Sequence, residues 1–283
     1  MIVLTFSCPD RKGIVASVSK ILFEGGANII ESNQYSTNSS TKAHFFMRIV
    51  FEPESLKGLN DINQKLNGFS SIFNAEFKLT DTSVKKKAAV FVSKEDHCLY
   101  ELLWQKSSSD LFLDIVCIVS NHNILLPVAE SYRLPFIYAP YRDNAIEQEE
   151  LIKKEFERLK LQIDFVILAK YMRVLSKNFI NSFCQNIINI HHSFLPSFPG
   201  AKPYVQAYQK GVKLVGATAH FVNEKLDDGP IIEQDIIRIN HGDDINEIKR
   251  KGKIVEKLVL AKAVKLFTED RIIEHDNKTI IFE

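Results

Sequence analysis

Cysteine is scarce: Cys8, Cys98, Cys117 and Cys184 are the only four in 283 residues, and no C-x-x-C spacing links them. That pattern excludes a disulfide framework and suits free thiols in a reducing compartment. Excess charge is missing too. Lys and Arg number 36 against 35 Asp and Glu, for a net charge of +1, so there is no electrostatic case for nucleic acid or an anionic membrane. The one basic run, Lys85-Lys86-Lys87, reads as a solvated linker. No apolar run approaches the ~20 residues that a bilayer-spanning helix needs. The opening "MIVLTFSCPDRKG" lacks the charged, apolar, small-residue order of a signal peptide. A cytoplasmic location with no membrane partner is the expectation.

What is present is ordinary globular composition, 45% hydrophobic and 25% charged, at a length that suits two domains. "MIVLTFS" reads as a strand. Helical spacing follows, with Ile14, Val18, Ile21 and Leu22 on one face and Gly25-Gly26 at its end. Two strands, "ANIIESNQYST" and "AHFFMRIVFE", flank the polar turn "NSSTK". A second helix over "ESLKGLNDINQKLNGFS" and a strand at "AEFKLT" complete a βαββαβ order. The expected domain, residues 1–80, is a small α+β sandwich of ferredoxin-like type with two helices on one face of an antiparallel sheet. A linker is expected at 81–87.

From residue 88 to 283 the pattern changes. Short, continuously apolar strands ("AAVFVS", "LDIVCIVS", "PFIY", "DFVILA", "NIINIH") alternate with amphipathic segments. In the helix expected at 144–160, Ile146, Ile152, Phe156 and Leu159 form the core stripe and the Glu and Lys residues face water. Strands without polar alternation imply a sheet covered on both faces, hence a doubly wound, mostly parallel α/β domain. Its ligand crevice is expected beyond the carboxyl ends of the strands.

"NIHHSFLPSFPGAKPY" lies at such an end. Alternation along a strand puts Asn189 and His191 on one face, and Pro196 and Pro199 stiffen the exit loop. Structural histidines are common, so this pair alone leaves function and structure level. A second stretch, "LVGATAHFVNEKLDDGPII", ends in a turn with two carboxylates, a glycine for an unusual backbone angle and a proline. Asp227 and Asp228 either only form that turn, or one of them reaches the crevice beside His191. Two histidines and a carboxylate (His191, His220, Asp227) could also hold zinc, but no H-x-x-x-H or H-x-H spacing pre-positions them. No metal and no cofactor are expected.

These segments resemble the formyltransferase family that uses 10-formyltetrahydrofolate, whose signature is an Asn-x-His strand end and a later [Leu/Val]-Asp-x-Gly turn. "INIHHSFLPSFPGAKPY", "GATAHFV" and "LDDGPIIEQD", with "VSKEDHCLYELL", "SNH" and "LAKYMRVLS", are most similar to its formyltetrahydrofolate deformylase branch. "CPDRKGIVASVS" resembles the ACT domain that this branch carries ahead of its catalytic domain. The resemblance covers essentially the whole chain. It implies Asn189, His191 and Asp227 as catalytic residues, Asp227 being chosen over Asp228 by register. It also implies that Met172, Arg173, Val174 and Leu175 line a folate pocket, with Thr218 and His220 as further substrate contacts. The implied reaction is hydrolysis of 10-formyltetrahydrofolate to tetrahydrofolate and formate, which supplies formate for purine synthesis and balances the folate pool.

The chemistry fits these groups. An amide-like formyl carbonyl needs a donor for its oxyanion, a base for water and a proton for the leaving nitrogen. An amine acceptor bearing a phosphate would call for a glycine-rich turn after the first strand of the α/β domain. Here that turn is "VSKEDHCLYELL", glycine-free and carrying Glu95 and Asp96, which favours water. Formyl transfer to an amine and a non-catalytic amino-acid sensor are the alternatives. The ACT resemblance further implies an amino-acid effector at an interface between copies, near Asp10, Gly13 and Asn28, or simple assembly through the sheet edge. A dimer or tetramer is expected either way.

Overall fold

The computed structural model describes residues 1–37, 43–142, 144–183, 186–197 and 203–283. The turn "NSSTK", Cys184 and Pro199 lie outside these residues. The chain divides into two units: residues 1–84 with 269–275 and 280–283, and residues 85–268 with 276–279.

The first unit realises the βαββαβ order: β1 (Ile2–Pro9), α1 (Ile14–Glu24), β2 (Ala27–Ser36), β3 (His44–Pro53), α2 (Leu56–Phe73) and β4 (Glu76–Asp81). Its antiparallel sheet runs β2-β3-β1-β4. Ile14, Val18 and Leu22 of α1 and Ile62, Leu66 and Phe69 of α2 pack on one face with Leu4, Phe6, Met47 and Phe51. These are the i, i+4, i+8 and i, i+4, i+7 positions of apolar helix stripes. The other face of β3 is covered as well, which the sequence reading did not anticipate. Residues 269–275 return there: Arg48, 4% exposed, donates to the carbonyls of Asp270 and Glu269 and pairs with Glu31. His275 packs on Phe46 at 5.0 Å between ring centres.

The expected linker is shorter than 81–87, because β5 (Lys86–Val92) already includes two of the three lysines. They sit in the strand because their side chains find acceptors: Lys86 donates to Thr268 O and Lys87 to Gln162 Oε1. The second unit then follows the expected grammar. It contains α3 (His97–Ser107), β6 (Leu113–Ser120), α4 (Leu126–Ser131), β7 (Phe136–Tyr138), α5 (Ala145–Arg158), β8 (Phe165–Leu168) and α6 (Lys177–Ser182). β9 (Ile187–His191), α7 (Pro203–Lys210), β10 (Leu214–Phe221), β11 (Ile231–Arg238) and α8 (Ile245–Thr268) follow, and β12 (Ile272–His275) and β13 (Lys278–Ile281) form a terminal hairpin. The seven-stranded sheet runs β11-β10-β9-β8-β5-β6-β7. β7 to β9 are joined in parallel, while β10 and β11 are antiparallel additions.

The stripe expected on α5 is corrected. Ile146 is 64% exposed, whereas Gln148 and Glu149 are buried beside Ile152 and Phe156. Their polar ends have acceptors or donors waiting: Gln148 donates to Ala139 O, and Glu149 accepts from the Ser176 amide at 2.6 Å. Burial of a polar group is tolerated where its hydrogen bonds are met. No helix among the described residues is long and apolar enough to cross a membrane.

Candidate active site

The carboxyl end of β9 and its antiparallel neighbour β10 build the site. Their register sets Asn189 opposite His220 and His191 opposite Thr218. The bulge where β10 meets β11 puts its extra residue, Ile232, on β11, so the alternation along β10 that carries His220 is unbroken. The His220 ring lies with Nδ1 2.8 Å from Phe221 O and Nε2 3.1 Å from Asn189 Nδ2. A carbonyl only accepts, so Nδ1 carries the proton and Nε2 accepts from the asparagine amide. Burial lowers the pKa of His220 below its ordinary value, which keeps it neutral in this role. The amide of Asn189 is thereby held with one N–H engaged and one left for the cavity.

The turn after β10 brings the carboxylate. Asp227 adopts φ 55°, a left-handed backbone that aspartate tolerates better than most residues. Its Oδ2 lies 3.2 Å from His191 Nδ1, and its Oδ1 lies 3.8 Å from His220 Nε2. Burial pushes this carboxyl upward, but the His191 hydrogen bond and the neighbouring histidines outweigh it, so the net shift is downward. Asp228 turns out to solvent beside Lys225. The unusual backbone angle expected at Gly229 belongs to Asp227 instead. Glycine is required at 229 because a Cβ there would fall on the Phe221 carbonyl.

With Nδ1 donating to Asp227, His191 presents Nε2, which is buried and has no hydrogen-bond partner among the described residues. Asn189, His191, His220 and Asp227 all line one cavity of about 280 Å³. Met172, Arg173, Val174 and Leu175 form its apolar wall. Arg173 stacks over Tyr141 at 3.9 Å. His192 also lines the cavity; burial, then Lys170, takes its pKa down to about 4.

Residues 86–264 match the formyl transferase family. The sequence is 46% identical to the formyltetrahydrofolate deformylase of Bacillus subtilis (strain 168), over 99% of this chain and 93% of that protein. A crystal structure of a formyltetrahydrofolate deformylase from Pseudomonas syringae pv. tomato superposes with a TM-score of 0.93 at 39% identity, covering 100% of this chain and 94% of the other. One from Burkholderia mallei gives 0.91 at 39% identity, covering 100% and 99%. The chain belongs to the formyltetrahydrofolate deformylase family.

One assignment that the sequence suggested for a deformylase of this kind is corrected by the structure. Thr218 does not line the cavity: it is fully buried, donates to Ser193 O, and accepts from the Leu195 amide and Gln234 Nε2. Strand alternation placed it correctly with His220, but its short side chain is consumed in bracing the 193–195 loop. Asp10, Gly13 and Asn28 do not converge within one chain. Asp10 bonds to Ala43, just before the start of β3, while Asn28 pairs with Glu52 near its far end. At ~3.3 Å per residue the two ends of β3 stand roughly 25 Å apart. Gly13, at φ 92°, is the residue before α1.

Sequence reasoning also missed the residues that hold the apolar wall. The Met172 amide donates to Ser93 Oγ at 3.0 Å, and that hydroxyl donates to Asn121 Oδ1 at 2.7 Å. Ser176 caps α6 and is held by Glu149. The available signal was a lone Ser or Asn closing an otherwise apolar strand, as in "AAVFVS" and "LDIVCIVSN".

Proposed function

We propose that Asn189, His191 and Asp227 surround the formyl carbon while this enzyme hydrolyses 10-formyltetrahydrofolate to tetrahydrofolate and formate. The observation that carries this assignment is the free Nε2 of His191, backed by Asp227 at 3.2 Å and flanked by an asparagine amide whose orientation His220 sets.

The folate ring lies against Met172–Leu175, which places its formyl group over Asn189 and His191. Water adds to the formyl carbon and gives up a proton to Asp227. The developing oxyanion is met by the free N–H of Asn189, an interaction worth on the order of 10²–10³ in rate. His191 donates from Nε2 and passes a proton to N10 as the C–N bond breaks, general acid help worth roughly 10²–10⁴. Formate and tetrahydrofolate leave with all atoms accounted for. These groups supply donor, base and acid without a metal, and the lone pair of His220 Nε2 is already taken by Asn189. Asn189→Ala tests the oxyanion role: kcat should fall about 10²-fold or more with KM little moved. An unchanged kcat would remove Asn189 from the mechanism.

The same proposal includes a homo-oligomer working in the cytoplasm. β2 is an edge strand that exposes Ile29, Ile30 and Tyr35, and such an edge is a ready surface for a second copy. A monomer in sedimentation would refute the assembly.

A further inference from the structure

Four linked residues, of which Lys170 lines the cavity, take no part in the chemistry above. Lys170 lines the cavity at 5% exposure, and its Nζ lies 3.2 Å from Glu256 Oε2. Glu256, buried on α8, also accepts from His97 Nε2 at 2.7 Å and from the Tyr204 hydroxyl. The Tyr204 ring stands 5.9 Å from His192, which in turn is 5.4 Å from His191. A continuous row of side chains therefore runs from the reacting histidine to His97, the first residue of α3.

This row is expensive in three ways. Lys170 adopts φ 63°, a left-handed backbone that disfavours a long side chain. Gly252 lies inside α8, where a Cβ would run into the Tyr204 hydroxyl, and glycine inside a helix weakens it. Glu256 and Lys170 bury opposite charges, which packing alone seldom warrants. Burial pushes the Glu256 carboxyl up, but its hydrogen bonds and Lys170 reverse this and hold it at about 2. Backbone strain and buried charge collected in one place point to function.

The location indicates what that function is. α3 follows β5, in the middle of the parallel strands, and the amino end of such a helix is where an α/β domain offers N–H groups to an anion. Here Glu256 and Glu95 stand against it. Lys170 lines the same cavity as Met172–Leu175 and is tied to this helix end through Glu256 and His97. An acceptor anchored at this helix end would reach the formyl carbon past Lys170. We propose that Lys170 and Glu256, braced by Tyr204 and His97, are specificity-determining residues that seal the acceptor end, so that only water reaches the formyl carbon. This rests on the hydrolase reading and deepens it.

If an amine did enter, its nitrogen would bond to the formyl carbon, the bond to N10 would break, and the amine proton would pass to N10. Tetrahydrofolate would then form without formate. The test compares the full-length enzyme with Lys170→Gly/Glu256→Ala, using glycinamide as the probe amine. Glycine suits φ 63°, and removing both opposite charges leaves neither ion buried alone. Tetrahydrofolate, formate and N-formylglycinamide are quantified together. The wild type should release one formate per tetrahydrofolate at every glycinamide concentration. In the double variant the ratio should fall by about half or more, since a positioned amine competes with water through effective molarity, and N-formylglycinamide should make up the difference. Lys170→Gly alone is read the same way if the double variant does not fold. A folded variant that keeps one formate per tetrahydrofolate overturns the proposal, as does a folded variant that forms no tetrahydrofolate. Formylation of glycinamide by the wild type overturns it too. Should the wild type release no formate even without the amine, the hydrolase reading fails instead.

Discussion

At the scale of single residues, the site depends on which groups stay uncharged. His192 titrates at about 4, against 6.5 for a free histidine, because burial and then Lys170 oppose its charged form. The unfolded chain therefore binds a proton between those values that the folded chain refuses. Stability due to this residue is complete above pH 6.5 and is lost as pH falls towards about 4, a change of about 3 kcal/mol. Asp227 acts in the same direction at lower pH: its lowered pKa adds stability above the ordinary carboxylate value of 3.8, which is lost as pH falls through the folded-state value. His192→Gln should flatten the dependence of melting temperature on pH between 4 and 6.5, whatever its effect on the rate. An unaltered slope would show that His192 is not the group being titrated. The pairing of Asn189 with His191 was legible from strand alternation, and the choice of Asp227 over Asp228 from register. The partners of His220 were not, since its bonds to Asn189 and to the Phe221 carbonyl depend on how β9 and β10 pair.

Among the elements, the turn after β10 determines whether the carboxylate arrives. Gly229 lies so close to the Phe221 carbonyl that any side chain must push the turn away, and the Phe221 amide is tied to Pro230 O at 2.9 Å. Gly229→Ala should cost about 1–3 kcal/mol of stability, as overpacked sites do. It should also lower kcat more than thermal stability alone would explain, because Asp227 shifts away from His191. A variant that melts earlier but turns over normally would mean that the turn has slack. The sequence showed that glycine mattered here but suggested the wrong reason. A close backbone approach and a left-handed angle look alike in a string of letters. Helix α5 teaches a similar lesson. Periodicity located the helix and its core positions Ile152, Phe156 and Leu159, but Ile146 was misplaced and Glu149 missed, because a buried glutamate looks like a solvated one until its partner is seen.

For the molecule as a whole, the fold class of each half and its order of elements along the chain were legible, since a change from alternating to continuously apolar strands marks the passage to a sheet covered on both faces by helices. The path of the tail was not. Residues 269–275 and 280–283 belong to the first unit, and Arg48 in "HFFMRIVFE" gave only a faint sign that the second face of β3 is covered. Thr218 failed for a related reason. Family resemblance names positions, while bonding partners and strand register decide where those positions lie. The central claim is hydrolysis by three side chains converging on one carbon, and it is tested most directly by counting formate and tetrahydrofolate released from 10-formyltetrahydrofolate by the purified chain and by Asp227→Asn. The account predicts one formate per tetrahydrofolate for the wild type and a rate about 10²–10⁴ lower for the variant, with the fold retained. Tetrahydrofolate without formate, or an Asp227→Asn enzyme as fast as the wild type, would contradict it.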